Sequence, residues 1–499
     1  MRKKNHKPAE AVAFRHLWGT SKREMLATTA EADPAAIYED LTPSLALRLI
    51  FMPADVSAGY FEWPRLPELL PVSFPGVKTS RDEFLIDINR EALEKRIARY
   101  FDSKISDADL AKAYPSVVRS EGRFNGSKVR AALLARHDEE NARAEKLGKE
   151  PVRAGKIVRY AYRPFDVRWV YWDPDTKLLD EKRSEFEPHA LAGAALIEAR
   201  EKEVGDIFAR GAIAGGMADN FGNGLSTFFP AMLNDGHDAL LRPNLRQTVD
   251  HWRIGRGLTE TDIFYHCVAT IHSPAYRTGN DSALRMDWPR VPVPSNTDVM
   301  QSSAALGAKV AALLDADRDL PGVSSGSLLE GLSAIALPKG KDFSLTMGWG
   351  SAQTNKNGSR IVMPGGGRTV ERVWTDAERN ALLHLAKRHK LDLDMLLDLI
   401  GTKAVDVHIN AEAMWEGVPT KVWAYTLGGY QVLKKWLSYR EAAVLGRALT
   451  GEEALHFAKT ARRITEVLCM GPALDAAYAK ARECAVPWVD EKPADTNIV

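Results

Sequence analysis

Near the C-terminal end, thirteen residues interleave two glycines, three aromatics and three cations: Gly428-Gly429-Tyr430-Gln431-Val432-Leu433-Lys434-Lys435-Trp436-Leu437-Ser438-Tyr439-Arg440. A core segment has no need of Lys434, Lys435 and Arg440, and a solvated face has no need of Tyr430, Trp436 and Tyr439. Cations alternating with aromatics suit a surface that meets a polyanion while keeping its own rigid geometry. The competing reading is a helix that buries its aromatic side and solvates its lysines. Composition alone leaves both open.

Signatures of catalysis are absent, and the absences narrow the function. No Pro-Pro dipeptide occurs, so the Asn/Asp-Pro-Pro-Tyr/Phe motif of amino methyltransferases is missing. That motif holds the exocyclic nitrogen of an extruded base beside a stacking aromatic. Phe221-Gly222-Asn223-Gly224 has the wrong glycine spacing for an S-adenosylmethionine loop. No Gly-Lys-Ser/Thr is present for a Walker A loop. Pro174-Asp175-Thr176-Lys177 superficially resembles a nuclease site but lacks the Glu-x-Lys strand, and reads better as a turn. Gly365-Gly366-Gly367 has backbone N–H groups that could cradle a phosphate, against the simpler reading of a tight turn. No catalytic centre, cofactor site or metal site is expected.

The bulk numbers bound the rest. At 499 residues the chain is too long for one core. A 45% hydrophobic and 27% charged composition is that of a globular protein. Net charge is +1, which excludes a uniformly basic nucleic-acid coat but allows a local basic cleft. Cys267, Cys469 and Cys484 form no C-x-x-C pair, and the scattered histidines form no His-Glu-x-x-His, so a reducing, cytoplasmic setting is expected. No apolar run approaches the ~18 residues of a membrane span.

The elements that must position the chemistry divide into three expected regions. Residues 1–150 read as an N-terminal connector and helical region. Within it Phe84-Leu85-Ile86-Asp87-Ile88 reads as a strand, and a following helix carries Leu93, Ile97 and Tyr100 on one face. The polar stretch 136–151 reads as a solvated helix or linker. Residues 151–337 read as a central β-rich lobe, from the aromatic crowd Tyr160, Tyr162, Phe165, Trp169, Tyr171 and Trp172 and from a second β-rich or mixed patch over 264–273. Trp288-Pro289-Arg290-Val291-Pro292-Val293-Pro294 is too proline-rich for regular structure. Residues 338–499 read as a glycine-rich loop and a helical lobe. Capping boxes open helices at Thr375…Glu378 and Thr450…Glu453, the second with an apolar stripe of Phe457, Ala461, Ile464 and Leu468 stopped by Gly471-Pro472. The fold class is α+β.

Four stretches, in this order, resemble the C-terminal target-recognition region of type ISP restriction–modification enzymes. They are Gly76-Val77-Lys78-Thr79-Ser80-Arg81-Asp82; Tyr162-Arg163-Pro164-Phe165-Asp166-Val167-Arg168-Trp169; Ile271-His272-Ser273-Pro274-Ala275-Tyr276-Arg277 with Asp287-Trp288-Pro289-Arg290-Val291-Pro292; and the Gly428–Arg440 segment, with Trp415-Glu416-Gly417-Val418-Pro419 ahead of it. The resemblance implies a part in choosing the DNA sequence to be methylated or cleaved. It covers only the portion downstream of the methyltransferase motifs, so it implies a catalytic partner on another polypeptide, an adenine methyltransferase and also a translocase-nuclease where the system restricts. Two rivals stand beside it: an adenine-specific DNA methyltransferase acting through a degenerate S-adenosylmethionine site, or a partnerless remnant of one. A protein–protein scaffold with accidental motif matches is a third.

On the favoured reading, double-stranded DNA is the partner, and two jobs need residues. Lys78, Arg81, Lys434, Lys435 and Arg440 are the candidates for neutralising phosphates. The polar segment 351–360 is the candidate for reading base edges, through Gln353, Asn355, Lys356, Asn357 and Arg360. An unstructured surface loop is its plainer reading. Arg163, Asp166 and Arg168 are expected to form a buried ion-pair network at a strand junction. Arg277 and Arg290 are left open between structure and DNA.

Overall fold

Aromatic and β-branched residues between 156 and 172 form an antiparallel hairpin, Lys156–Arg163 with Asp166–Trp172, in a computed structural model of the chain. The structure describes residues 12–15, 17, 21–29, 32–41, 56–148, 156–174, 177–193, 195–202, 212–214, 216–220, 227–234, 241–346, 348–350, 352–354, 360–362, 367–427 and 430–487. The hairpin is the middle of a four-stranded sheet. Met217–Ala218 adds in parallel to its first strand, and Ile86–Asp87 adds antiparallel to its second. Helix Arg90–Tyr100, capped by the Asn89 side chain, turns Leu93, Ile97 and Tyr100 inward, as the spacing predicts. With Phe84, Tyr171, Trp172, Phe186 and Phe228 they form the smaller of two hydrophobic cores. Helix Gly126–Lys146 lies over this core and is mostly solvated, as the polar run from 136 predicts.

The larger core is built mainly from helices. Asp262–His272, Thr297–Leu314, Gly451–Cys469 and Gly471–Glu483 pack together, joined by a four-stranded antiparallel sheet of Leu337–Lys339, Met414–Pro419, Lys403–His408 and Thr369–Val373 in that order. Trp415 of the sheet stacks on Phe457 of the long helix, with ring centroids 4.1 Å apart. Gly307 sets the distance between Thr297–Leu314 and Asp262–His272, because a Cβ there would lie 1.8 Å from the Tyr265 carbonyl oxygen.

A second four-stranded antiparallel sheet, Ala212–Ala214, Ala195–Ala199, Thr227–Pro230 and Phe74–Pro75, stands between the cores. Strand side chains alternate between faces. Here Leu196 and Phe228 feed the smaller core, while their neighbours Ile197 and Phe229 feed the larger. Tyr60, Trp63, Leu66, Leu69 and Leu70 belong to the large core, together with Leu474 and Tyr478 of a helix more than 400 positions later.

Three local expectations are corrected. The patch 264–273 is helix, Asp262–His272, with nine of its residues buried. A helix apolar on every side loses its periodic signature and reads as a strand. Phe84 and Leu85 end a short helix, Asp82–Leu85, and only Ile86–Asp87 is strand. Beyond residue 368 the chain is not only helical: Lys403–His408 is a strand buried on both faces, so no alternation marks it. Both capping boxes form as read, and Gly471-Pro472 ends one helix while starting the next.

Candidate nucleic-acid interface

The Tyr-Arg-Pro-Phe-Asp turn joins the two cores. Phe165 sits at φ 58°, where glycine is usual, after a proline at the preceding position. A bulky residue there costs on the order of 1–3 kcal/mol and persists only where its surroundings fix it. The fixing is visible: the hairpin strands belong to the small core, but the Phe165 side chain is buried in the large one. Its carbonyl accepts a hydrogen bond from His456 Nε2 at 2.9 Å.

Asp166, next in sequence, is fully enclosed between two guanidiniums. Arg440 donates to one carboxylate oxygen at 2.6 Å and Arg168 to the other at 2.7 Å. Burial pushes the Asp166 carboxyl up, but the two arginines outweigh it and hold it far below the carboxylate range. This is the buried network expected of Asp166 and Arg168. Arg163 joins a neighbouring one, donating to Asp219 at 2.7 Å, and Asp219 also accepts from Tyr160 at 2.6 Å. Burial raises the Asp219 carboxyl to about 6, against the pull of Arg163. The Tyr162 ring lies between the guanidiniums of Arg163 and Arg168, whose Cζ atoms are 4.1 and 4.0 Å from its centroid.

The Gly76–Asp82 stretch is fastened to this hairpin. Gly76 allows the backbone to run against Asp219 and Asn220, where a Cβ would meet main-chain atoms at 2.6 Å. Tyr162 donates to Asp82 at 3.0 Å. Arg81, expected on phosphates, is instead interior: it donates to the Leu178 carbonyl at 2.8 Å and lies 3.4 Å over the Phe124 ring. Lys78 stays half-exposed and pairs with Asp180 at 2.9 Å.

The Gly428–Arg440 segment splits by residue. Val432–Ser438 is a helix that buries Val432, Leu433, Trp436 and Leu437 and exposes Lys434. Lys435 lies 4.7 Å over the Tyr439 ring. Arg440 is buried on Asp166, its Cζ 4.2 Å over the Trp436 ring, rather than on the outer surface with Lys434. Gly428 and Gly429 lie outside the described residues.

The Ser273-Pro274 junction is structural as well. Ser273 caps helix Pro274–Leu284 and donates to Asp475 at 2.6 Å. Tyr276 donates to the Arg290 carbonyl, and Arg290 in turn donates to the Trp63 carbonyl at 2.8 Å. The proline-rich run 288–294 forms neither helix nor extended strand, as its composition predicts.

The segment proposed to read bases forms a two-stranded ribbon, Ala352–Thr354 antiparallel to Arg360–Val362. Gln353 lies opposite Ile361, and Arg360 opposite Thr354. Asn355, Lys356 and Asn357, in the connection between the strands, lie outside the described residues, as do Gly365 and Gly366. Gly367 packs on the Trp349 ring, where a Cβ would come within 2.3 Å. Asp219 and His456 carry no local motif, and sequence reasoning missed both.

Comparison with known proteins agrees with this architecture. The type ISP C-terminal specificity domain family matches residues 68–466. The chain belongs to that family. No curated protein matches the sequence. Three solved structures share the fold. A nuclease-deletion mutant of the type ISP restriction-modification enzyme LlaGI, in complex with a DNA substrate mimic, superposes with a TM-score of 0.50 at 14% identity, over 91% of this chain and 31% of that one. The ATP-dependent type ISP enzyme LlaBIII bound to DNA gives 0.53 at 14%, over 96% and 28%. A DrdV–DNA complex gives 0.51 at 16%, over 91% and 42%. The chain thus spans less than half the length of these proteins. Among the described residues, no helix is long and apolar enough to cross a membrane, and no three His, Cys, Asp or Glu side chains are grouped to hold a metal.

Proposed function

We propose that this chain recognises a specific sequence in double-stranded DNA and directs a separately encoded adenine methyltransferase, acting in the cytoplasm, to it. The match of the specificity-domain family to residues 68–466 carries the reading. The geometry supports a division of labour. The buried side chains of the family-like stretches lock the scaffold, and the contacts to DNA fall to their lysines Lys78, Lys434 and Lys435 and to the ribbon strands 352–354 and 360–362. A two-stranded ribbon fits the major groove, where Gln, Asn and Arg read base edges.

Selection from a randomised duplex pool, at low and at higher salt, tests this. Recovery of one short motif that survives the higher salt is the expected result. Binding without enrichment that fades with salt would report phosphate contacts alone. It would sink the claim that this chain reads sequence unaided. Lys434→Ala and Lys435→Ala are each expected to weaken binding evenly across sequences and to lower the log–log salt slope by about 1. Arg360→Ala is expected to cost about 1–3 kcal/mol and to relax preference at one base position.

A further inference from the structure

A cavity of about 570 Å³ opens where helix Thr297–Leu314 meets the end of helix Asp376–Arg388 and the junction between helices Gly451–Cys469 and Gly471–Glu483. Its walls are largely aliphatic, with Leu306, Leu313, Leu320, Val323 and Met470 among them. That size and lining are those of a small-molecule site. The loop bearing Leu320 and Val323 is tied down. The Ser324 hydroxyl accepts from the Leu320 amide and from Arg463, both at 2.9 Å, and Arg463 also donates to the Ala312 and Leu313 carbonyls. The cavity is therefore held open by the fold. No Phe, Tyr or Trp is among its described lining residues, so it is no stacking platform for a base.

Charge at the cavity is one-sided. Lys309, Arg388 and Lys390 line it, and Glu466 is the single carboxylate among its described lining residues. Glu466 is buried and already engaged, since it accepts from Arg388 and, at 3.2 Å, from His389 Nε2. Lys309 and Lys390 are exposed, so a ligand can reach them, and no lining carboxylate is left for either. Complementing a helix C-terminus would explain Arg388 in the last turn. It does not explain Lys309, which lies more than a turn before the end of its helix. Lys390 is unusual in its backbone as well. It sits at φ 58°, in the position past a helix end that glycine ordinarily takes. Its amide and that of Leu391 close the turn onto the Lys387 and Ala386 carbonyls. Strained residues of this kind gather at ligand clamps.

We propose that this cavity binds a small molecule with an aliphatic body and one acidic group, a monocarboxylate of medium chain length being the simplest case. The aliphatic body packs against Leu306, Leu313, Val323 and Met470, and the carboxylate meets Lys309 and Lys390. The site is separate from the recognition of DNA and does not rest on it.

The test labels the methionine methyl groups of the full chain for NMR and assigns the Met470 signal as the one lost in Met470→Leu, a volume-conserving change. Octanoate is then titrated at constant ionic strength. A saturable shift of that signal is expected, with 1-octanol and octylammonium each binding about tenfold more weakly or worse. Lys309→Gln combined with Lys390→Gln should weaken octanoate by about tenfold and leave octanol affinity unchanged, with the circular dichroism of the parent chain. Should the pair misfold, Lys309→Gln alone, at an exposed helical position, is expected to weaken octanoate and spare octanol. A Met470 signal indifferent to octanoate overturns the site, as does octanol binding as tightly as octanoate. An octanoate response in a chain that selects no DNA motif supports the site and counts against the DNA reading alone. Motif selection with a silent Met470 does the reverse.

Discussion

Asp166 ties together two parts of the chain that are far apart in sequence. It is buried, it accepts from two guanidiniums, and one of them belongs to a residue 274 positions away. Removing one partner of a buried ionic group costs far more than the pair contributes, because the remaining charge is left uncompensated. Asp166→Asn would leave two interior arginines facing an amide, and is expected to lose about 3–5 kcal/mol in chemical denaturation. Two buried histidines contribute to the response to acid. Burial lowers His266, between Ser303 and the Pro292 carbonyl, to about 4, and lowers His272 to about 3. Both folded values lie below the ordinary 6.5. Their neutral forms therefore contribute stability above that pH, and it is lost as pH falls towards 4. Asp219 runs the other way: its folded value of about 6 exceeds the usual 3.8, so its contribution is present at low pH and fades as pH rises through 6. The denaturation midpoint should fall between pH 6.5 and 4, and His266→Gln should flatten that fall. At this scale the sequence announced the Asp166–Arg168 pair through its tight spacing. It could not announce that Arg440 completes it, since nothing local distinguishes a cation bound for a phosphate from one bound for a distant carboxylate.

At the scale of elements, arginines recur as clamps on main-chain carbonyls. Arg462 holds the Leu332 carbonyl at 3.1 Å, Arg463 those of Ala312 and Leu313, and Arg130 those of Tyr100, Asp102 and Ile105. A planar fork of five donors suits loop ends whose carbonyls have no ladder partner. This explains why helix Gly451–Cys469 could be recognised from its capping box and apolar stripe, yet its polar face could not be read as buried. Helix packing is similarly exacting. Gly307→Ala would drive a methyl group into the Tyr265 carbonyl, and is expected to destabilise by about 1–3 kcal/mol, read as a lowered denaturation midpoint with an unchanged slope. Elements with one solvated face were legible in the sequence, as in helix Arg90–Tyr100. Those buried on every side, Asp262–His272 and Lys403–His408, were not, because periodicity needs a polar face to contrast with.

At the scale of the whole chain, the interior of the described residues is shared between two cores. The sheet holding Ala195–Ala199 and Thr227–Pro230 is a party wall, and Phe165 crosses from one side to the other. The two cores are therefore expected to unfold in one cooperative transition. Limited proteolysis of the full chain should spare the turn at 163–166, whereas a chain ending before Arg440 should be cut there.

The seating of that turn also has a meaning in time. Asp166 leaves the ribosome 274 residues ahead of Arg440, the second of the two arginines that hold it. At roughly 5–20 residues per second, the hairpin waits on the order of tens of seconds with its aspartate still in water. The strained Phe165 conformation has nothing to hold it during that interval. The native turn is thus a late event, set when the last helices arrive.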